Sequence, residues 1–380
     1  MFVGITNTPR DYAWGSTSAI ADLLGTTPSG GPEAELWLGA HPGSPSRVEG
    51  SDDTLVDILE GRLPFLLKVL AAASPLSLQA HPTMAQAAVG FERENTLGIP
   101  LDAPDRNYKD AFHKPELIFA LSESFRALCG FRPAHATAST VERMIGALPG
   151  DPALNGFSDR LTSDDDLRSA FEWLVTGGDD VDELVAAVVE AAAKLEGDNF
   201  TLVGELAAAY PGDPGIVVSL MLNLVTLKPG EVLYLPAGNI HAYVEGLGIE
   251  LMAASDNVLR GGLTPKHVDV PELLSVLDFT PVPVPYLEPI PLPGGVALYQ
   301  PGVPDFELAV VTEPVDGTRY ALAGDSIVLC TAGEFALAGE KGSVTLTRGE
   351  SVFVTAEEST LTISGDGALF VAGPAGTHSA

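Results

Sequence analysis

Cysteine is nearly absent. Cys129 and Cys330 are the only two in 380 residues, far apart and too few for a disulfide framework, so a reducing cytoplasmic compartment is expected. Basic residues are few: 20 lysines and arginines stand against 51 aspartates and glutamates, a formal net charge of −31. That argues against a nucleic-acid partner, because binding a phosphate backbone needs a basic face. Long apolar runs are missing. The best, around 65–73, carries Lys68 in its middle and none could span a bilayer, so no membrane partner is expected. Residues 1–14 have no apolar stretch after a basic start, the mark of a secretory signal. What remains is a chain that is 46% hydrophobic, ample for more than one core, with a length that suggests two or three domains at about 150 residues each.

The scarce cations are not scattered as surface solvation would scatter them. Lys68, Lys114, Arg260 and Lys266 all fall in stretches that carry other chemistry. An anionic small molecule drawn to so acidic a chain needs a local positive focus, and these four residues are candidates for it.

The stretch Pro75-Leu76-Ser77-Leu78-Gln79-Ala80-His81-Pro82 alternates, with Ser77, Gln79 and His81 on one face of a strand and Leu76, Leu78 and Ala80 on the other. Alone it reads as an edge strand with one wet face. Two further stretches change that reading: His113-Lys114-Pro115-Glu116, where Lys114 and Glu116 share a face and His113 points away, and Gly238-Asn239-Ile240-His241-Ala242-Tyr243. Together they offer Gln79, His81, Glu116 and His241, a nitrogen and oxygen donor set of the kind that holds a divalent metal.

Along the chain, Glu35-Leu36-Trp37-Leu38 reads as a strand with Trp37 in the core, followed by His41 as a turn histidine. Residues 63–70 read as a strand buried on both faces, so Lys68 within it must meet a carboxylate, a cavity or an anionic ligand. From 134 to 212 the period changes to about 3.6, with a capping box at Ser163–Asp166 and a stop at Gly177-Gly178: a helical insert to which no chemistry is assigned. The β pattern returns at 215–221 and runs through 227–238 into the His241 strand. Residues 280–293 alternate proline with apolar residues and read as an extended linker. Residues 294–380 read as short strands, and Leu346-Thr347-Arg348-Gly349-Glu350-Ser351-Val352-Phe353-Val354 echoes Leu227-Lys228-Pro229-Gly230-Glu231-Val232-Leu233-Tyr234-Leu235. The first copy leads to His241; the second leads to no histidine. The expected organisation is therefore mainly β with a helical insert: a discontinuous β domain from 1–133 and 213–279 that carries the candidate metal ligands, the insert at 134–212, the linker, and a C-terminal β-sandwich without metal ligands.

Six ordered stretches resemble one family. They are Tyr12-Ala13-Trp14-Gly15, Glu35-Leu36-Trp37-Leu38-Gly39-Ala40-His41-Pro42, Leu76–Pro82, Tyr108-Lys109-Asp110 with His113–Glu116, Leu235–Tyr243, and Ser255-Asp256-Asn257-Val258-Leu259-Arg260-Gly261-Gly262-Leu263-Thr264-Pro265-Lys266. In this order they are similar to the type I mannose-6-phosphate isomerases, also called phosphomannose isomerases. Gly261-Gly262 departs from the family, which more often has a bulkier residue before the second glycine. The resemblance implies a cupin-like jelly-roll catalytic domain, a second cupin-like β domain, one zinc ion on Gln79, His81, Glu116 and His241, and a place in the carbohydrate metabolism that feeds GDP-mannose. It also implies interconversion of mannose 6-phosphate and fructose 6-phosphate through an enediol, by a chain expected to be a monomer.

That chemistry needs a base near neutrality, stabilisation of a developing enediolate and a grip on the phosphate. Arg260, Lys114, Glu250 and Tyr243 are the catalytic candidates. Lys68, Ser77 and Lys266, with Trp14 and Asp256 nearby, are the substrate-binding candidates. Two rivals stay open at this point: a cupin-type non-haem metal oxygenase, against which the fourth ligand Gln79 stands, and a sugar-binding regulator without turnover.

Overall fold

Apolar residues on both parities leave the 65–72 segment nowhere to face water, and every residue of strand Phe65–Ala72 is buried. The computed structural model describes residues 1–378. In it this strand lies antiparallel between Glu35–Leu38 and the far half of the long strand His241–Ala253. The near half of the long strand pairs instead with Leu78–Ala80 and Phe125–Phe131. The change of partners comes at Gly246, at φ 140°, where an added Cβ would lie 2.5 Å from the Phe125 ring. One strand thereby turns a corner and belongs to two facing layers, which gives the jelly-roll form expected of the catalytic domain.

The insert contains α-helices Ala134–Ala147, Pro152–Asp159, Leu167–Thr176, Asp179–Ala192 and Asp198–Ala209. Ser163 and Asp166 form the expected capping box, and Gly177 ends the Leu167–Thr176 helix. Phe157, Phe171, Leu184 and Leu206 bury against Leu78, Leu128 and Phe131 on the outside of the barrel.

Four expectations need correction. Residues 215–221 are not a strand: Gly215–Val218 is a helical turn and Ser219–Met221 a 3-10 turn. All seven are buried, so no wet face imposes a period of two. The Asp213 carboxylate also accepts a hydrogen bond from the Gly215 amide at 2.7 Å, which turns the chain before a strand could start. Second, the first strand, Phe2–Thr6, does not belong to the catalytic barrel. It pairs with Ser351–Val354 in the ten-stranded C-terminal sheet. Third, the 280–293 linker is docked: Val282 donates to the Phe131 carbonyl (3.1 Å), Leu287 to that of Val232 (2.9 Å), and Ile290–Leu292 is itself a strand. Fourth, Trp37 is not a core residue, as described below.

The C-terminal strands are longer than read, notably Ser326–Ala338 and Thr360–Gly373. The internal echo is real in three dimensions. Lys228 donates its amide to the Glu231 carboxylate at 2.8 Å and Thr347 to that of Glu350 at 2.7 Å, over turns carrying Gly230 and Gly349 at φ 89° and 91°. Glu116 pairs with Leu235, while in the second copy Ser326 pairs with Val354. Serine thus stands where the first copy has a carboxylate. The two β units share one core, in which Phe65, Phe119 and Leu251 meet Phe306, Leu329 and Phe370.

Candidate metal centre and cation-lined cleft

Strand register builds the site from two rows. Arg260 lies opposite Gln79, and Gln79 opposite His241, across three antiparallel strands. Residues paired in this way project to the same face. In the facing layer Trp37 lies opposite Lys68, and Lys68 opposite Glu250. Glu116 opens its strand beside Met252.

His81, Glu116 and His241 are buried with ligand atoms within 4.8 Å of one another. The His81 Nδ1–H donates to the Asn257 carbonyl (2.8 Å) and the His241 Nδ1–H to that of Asn239 (3.0 Å). Each bond fixes the tautomer and turns an unprotonated Nε2 toward Glu116, at 3.4 Å for His81 and 3.2 Å for His241. The buried Nε2 of His81 has no hydrogen-bond partner. Two lone pairs aimed at a carboxylate repel unless a cation lies between them, so these residues fit a divalent metal, with the Gln79 amide oxygen on the same face as a fourth donor. Burial drives the His81 pKa down to about 4 against the pull of Glu116, leaving a neutral ligand. Burial also pushes the Glu116 pKa up, but Lys114, which hydrogen-bonds it, outweighs that and holds it well below the usual carboxylate range.

In front of this cluster lies a cleft of about 900 Å³. Lys68, Arg106, Lys109, Lys114, Arg260 and Lys266 line it, six of the chain's 20 cations, against two carboxylates, Glu35 and Asp256. The positive focus expected inside an acidic field is therefore present. Trp14, Ser77 and Gln79 also line it. So does Trp37: its indole N–H donates to Glu35 (2.7 Å) and Lys68 lies 5.2 Å from its ring. Tethered between polar partners, it faces the cleft.

Glu250 and Tyr243 do not line the cleft. Glu250 is buried and binds Lys68 at 2.8 Å. Tyr243 packs edge-on against Phe125, 5.3 Å between ring centres, and its buried hydroxyl has no hydrogen-bond partner. Burial, with the Glu250 and Glu116 charges, raises its pKa well above the ordinary value, so it is a neutral phenol. Lys68 reaches Glu35 as well, at 3.8 Å. It is held as an ammonium because these carboxylates outweigh its burial, whereas Glu250 is pushed up by burial and by Glu116 and Glu35, which Lys68 and Lys114 only partly offset.

Sequence reasoning missed several contributors. Lys109 stands in a quoted motif without a role, and Arg106 and Asn107 precede it. Tyr210, at the end of the insert, enters the cleft and donates its hydroxyl to the Pro75 carbonyl at 2.7 Å, so the insert is not without a part. Asn257 receives the Lys109 amide (2.7 Å) and donates to Phe112 (2.8 Å), joining the ligand loops. His41 is no plain turn residue. Its Nδ1 accepts from the Gly43 amide (3.1 Å), so Nε2 carries a proton toward Asp256 Oδ2 at 3.1 Å.

The model of the type I phosphomannose isomerase catalytic domain matches residues 2–134, and that of the mannose-6-phosphate isomerase cupin domain matches residues 314–374. The mannose-6-phosphate isomerase of Salmonella typhimurium is 38% identical over 96% of this chain and 97% of its own length. The human mannose-6-phosphate isomerase is 33% identical, covering 92% of each. A zinc-bound crystal structure of mannose 6-phosphate isomerase superposes with a TM-score of 0.89 at 35% identity, over 98% of this chain and 99% of that one. On these grounds the chain belongs to the type I mannose-6-phosphate isomerase family.

Proposed function

We propose that the chain is a zinc-dependent aldose–ketose isomerase that interconverts D-mannose 6-phosphate and D-fructose 6-phosphate through an enediol. The observation that carries this reading is the convergence of His81, Glu116 and His241 directly behind a cleft whose charged lining is mostly cationic. Gln79, His81, Glu116 and His241 would hold the zinc ion, which would supply Lewis-acid polarisation to the bound sugar.

The remaining work falls to the chain's own groups. Lys114, which lines the cleft and touches Glu116, is the first candidate to carry the proton between neighbouring substrate carbons. Arg260, one strand from Gln79, offers a planar set of donors to the developing enediolate. Ser77, Lys68 and Lys266 grip the phosphate, and Trp14 and Asp256 bound the sugar. Glu250 keeps Lys68 charged and in place, and Tyr243 stands as a neutral donor behind the cleft. A monomer suffices for this scheme, since every group in it comes from one chain. The reading extends to a cytoplasmic enzyme supplying GDP-mannose synthesis, in keeping with two free thiols.

A coupled assay on mannose 6-phosphate, with and without chelator and alongside metal analysis, tests it. Turnover should require about one zinc per chain, vanish on chelation and return with added zinc. A zinc-loaded protein that leaves mannose 6-phosphate unchanged overturns the reading.

A further inference from the structure

The second β unit has Ser326 where the first has Glu116, yet one of its side chains reaches the catalytic loop. Asp305 accepts a hydrogen bond from His113 Nε2 at 2.8 Å. Among the described residues it is the only side chain beyond residue 294 that hydrogen-bonds the 109–116 loop. The contact is sheltered, with 15% of the His113 side chain and 10% of the Asp305 side chain exposed. Asp305 is also held firmly from its own side. Phe306 next to it is fully buried in the core shared by both units, and the Pro304 carbonyl before it accepts the Ala375 amide at 3.2 Å.

His113 is one residue before Lys114 and three before Glu116, and it points away from them, out of the cleft. Its neighbours are stitched to the other ligand loop. Asn257 donates to the Phe112 carbonyl (2.8 Å), Ser255 to Asp110 (2.9 Å), and Ala253 to the Pro115 carbonyl (3.0 Å). The Arg62 guanidinium lies 3.5 Å over the Phe112 ring and donates to the Ala254 carbonyl. Every one of these ties comes from the catalytic unit except the bond to Asp305.

We propose that Asp305 is a positioning residue: through His113 it fixes the backbone from which Lys114 and Glu116 reach the cleft, and so gives the metal-free C-terminal domain a direct part in the reaction. The proposal rests on the isomerase reading of the cleft. A displacement of about 1 Å in a catalytic group costs roughly 100-fold in rate. A pair this sheltered and this close to Lys114 is placed to prevent such a shift.

The test uses the full-length zinc enzyme with Asp305→Ala, Asp305→Asn, His113→Leu and the double variant Asp305→Ala/His113→Leu. In Asp305→Ala, kcat should fall roughly 10- to 100-fold while KM moves less than about threefold and zinc stays at its wild-type content. Asp305→Asn, which keeps an acceptor oxygen, should recover most of kcat. The double variant should be no slower than His113→Leu alone. If Asp305→Ala does not fold, His113→Leu is read by the same criteria. A kcat within about twofold of wild type, with only the melting temperature lowered, would reduce the pair to a brace between domains and overturn the proposal. So would single losses that multiply in the double variant. Failure of the isomerase reading is separate, because it shows as no turnover in the wild-type protein.

Discussion

Replacing Glu250 by glutamine should unsettle the barrel more than any surface charge change, and the structure gives the size. Lys68 is enclosed, with Glu250 at 2.8 Å and Glu35 at 3.8 Å. At an effective dielectric constant of about 20, those separations correspond to gross attractions of about 6 and about 4 kcal/mol. Glutamine removes the larger one but keeps an oxygen that accepts a hydrogen bond from the ammonium, worth about 1–2 kcal/mol. With Glu35 still in reach, the net loss should be about 3 kcal/mol, the low end for breaking a buried pair. Urea unfolding of the zinc-loaded protein, followed by circular dichroism, reads this directly. Removing both charges, in Lys68→Met/Glu250→Leu, should recover part of that loss, because Lys68 is no longer left without Glu250; the remainder is set by Glu35, which then lacks the cation it had at 3.8 Å. A loss below about 1 kcal/mol for Glu250→Gln would refute the reasoning, and so would a double variant less stable than the single one.

Three further outcomes follow from the same geometry. His81→Ala should abolish zinc retention and lower turnover far beyond the roughly fivefold that one neutral hydrogen bond of about 1 kcal/mol could explain; metal content and the coupled assay decide. Lys266→Ala should raise KM about tenfold with kcat little changed, while Arg260→Ala should lower kcat more than it raises KM, a split that steady-state kinetics resolves. His41→Phe should slow the enzyme by freeing the Asp256 carboxylate that His41 holds at 3.1 Å. The same change in an Asp256→Asn background should add nothing, which a double-mutant cycle measures.

Much of the site was readable from alternation alone. Gln79 with His81, and Lys114 with Glu116 against His113, are grouped by the two-residue repeat of a strand; Gln79 does lie in a strand opposite His241, while 113–115 precede the strand that Glu116 opens. The repeated Gly-Glu turn could be read because a backbone amide bonded to a carboxylate three residues on is a local device. What escaped was non-local. Nothing near Phe2 says that its partner is Val354, and nothing near His113 names Asp305, 192 positions away. The apolar run 215–221 defeated a period argument, since a segment buried on all sides shows no alternation to count. Trp37 looked like core because its size and hydrophobicity dominate; its bond to Glu35 depends on the strand's parity and on which layer faces the cleft.

The pairing of Phe2–Thr6 with Ser351–Val354 has a consequence for how the molecule is made. Ser351 donates its hydroxyl to the Ile5 carbonyl across 346 positions of chain. On the ribosome, at about 5–20 residues per second, the opening strand therefore waits some tens of seconds for its companion to emerge. For that interval its only native strand neighbour is the short Arg47–Val48, and the C-terminal sheet cannot finish. Completion of this sheet is thus a late, long-range event, in which residues 351–354 come back to residues 2–6 made long before them.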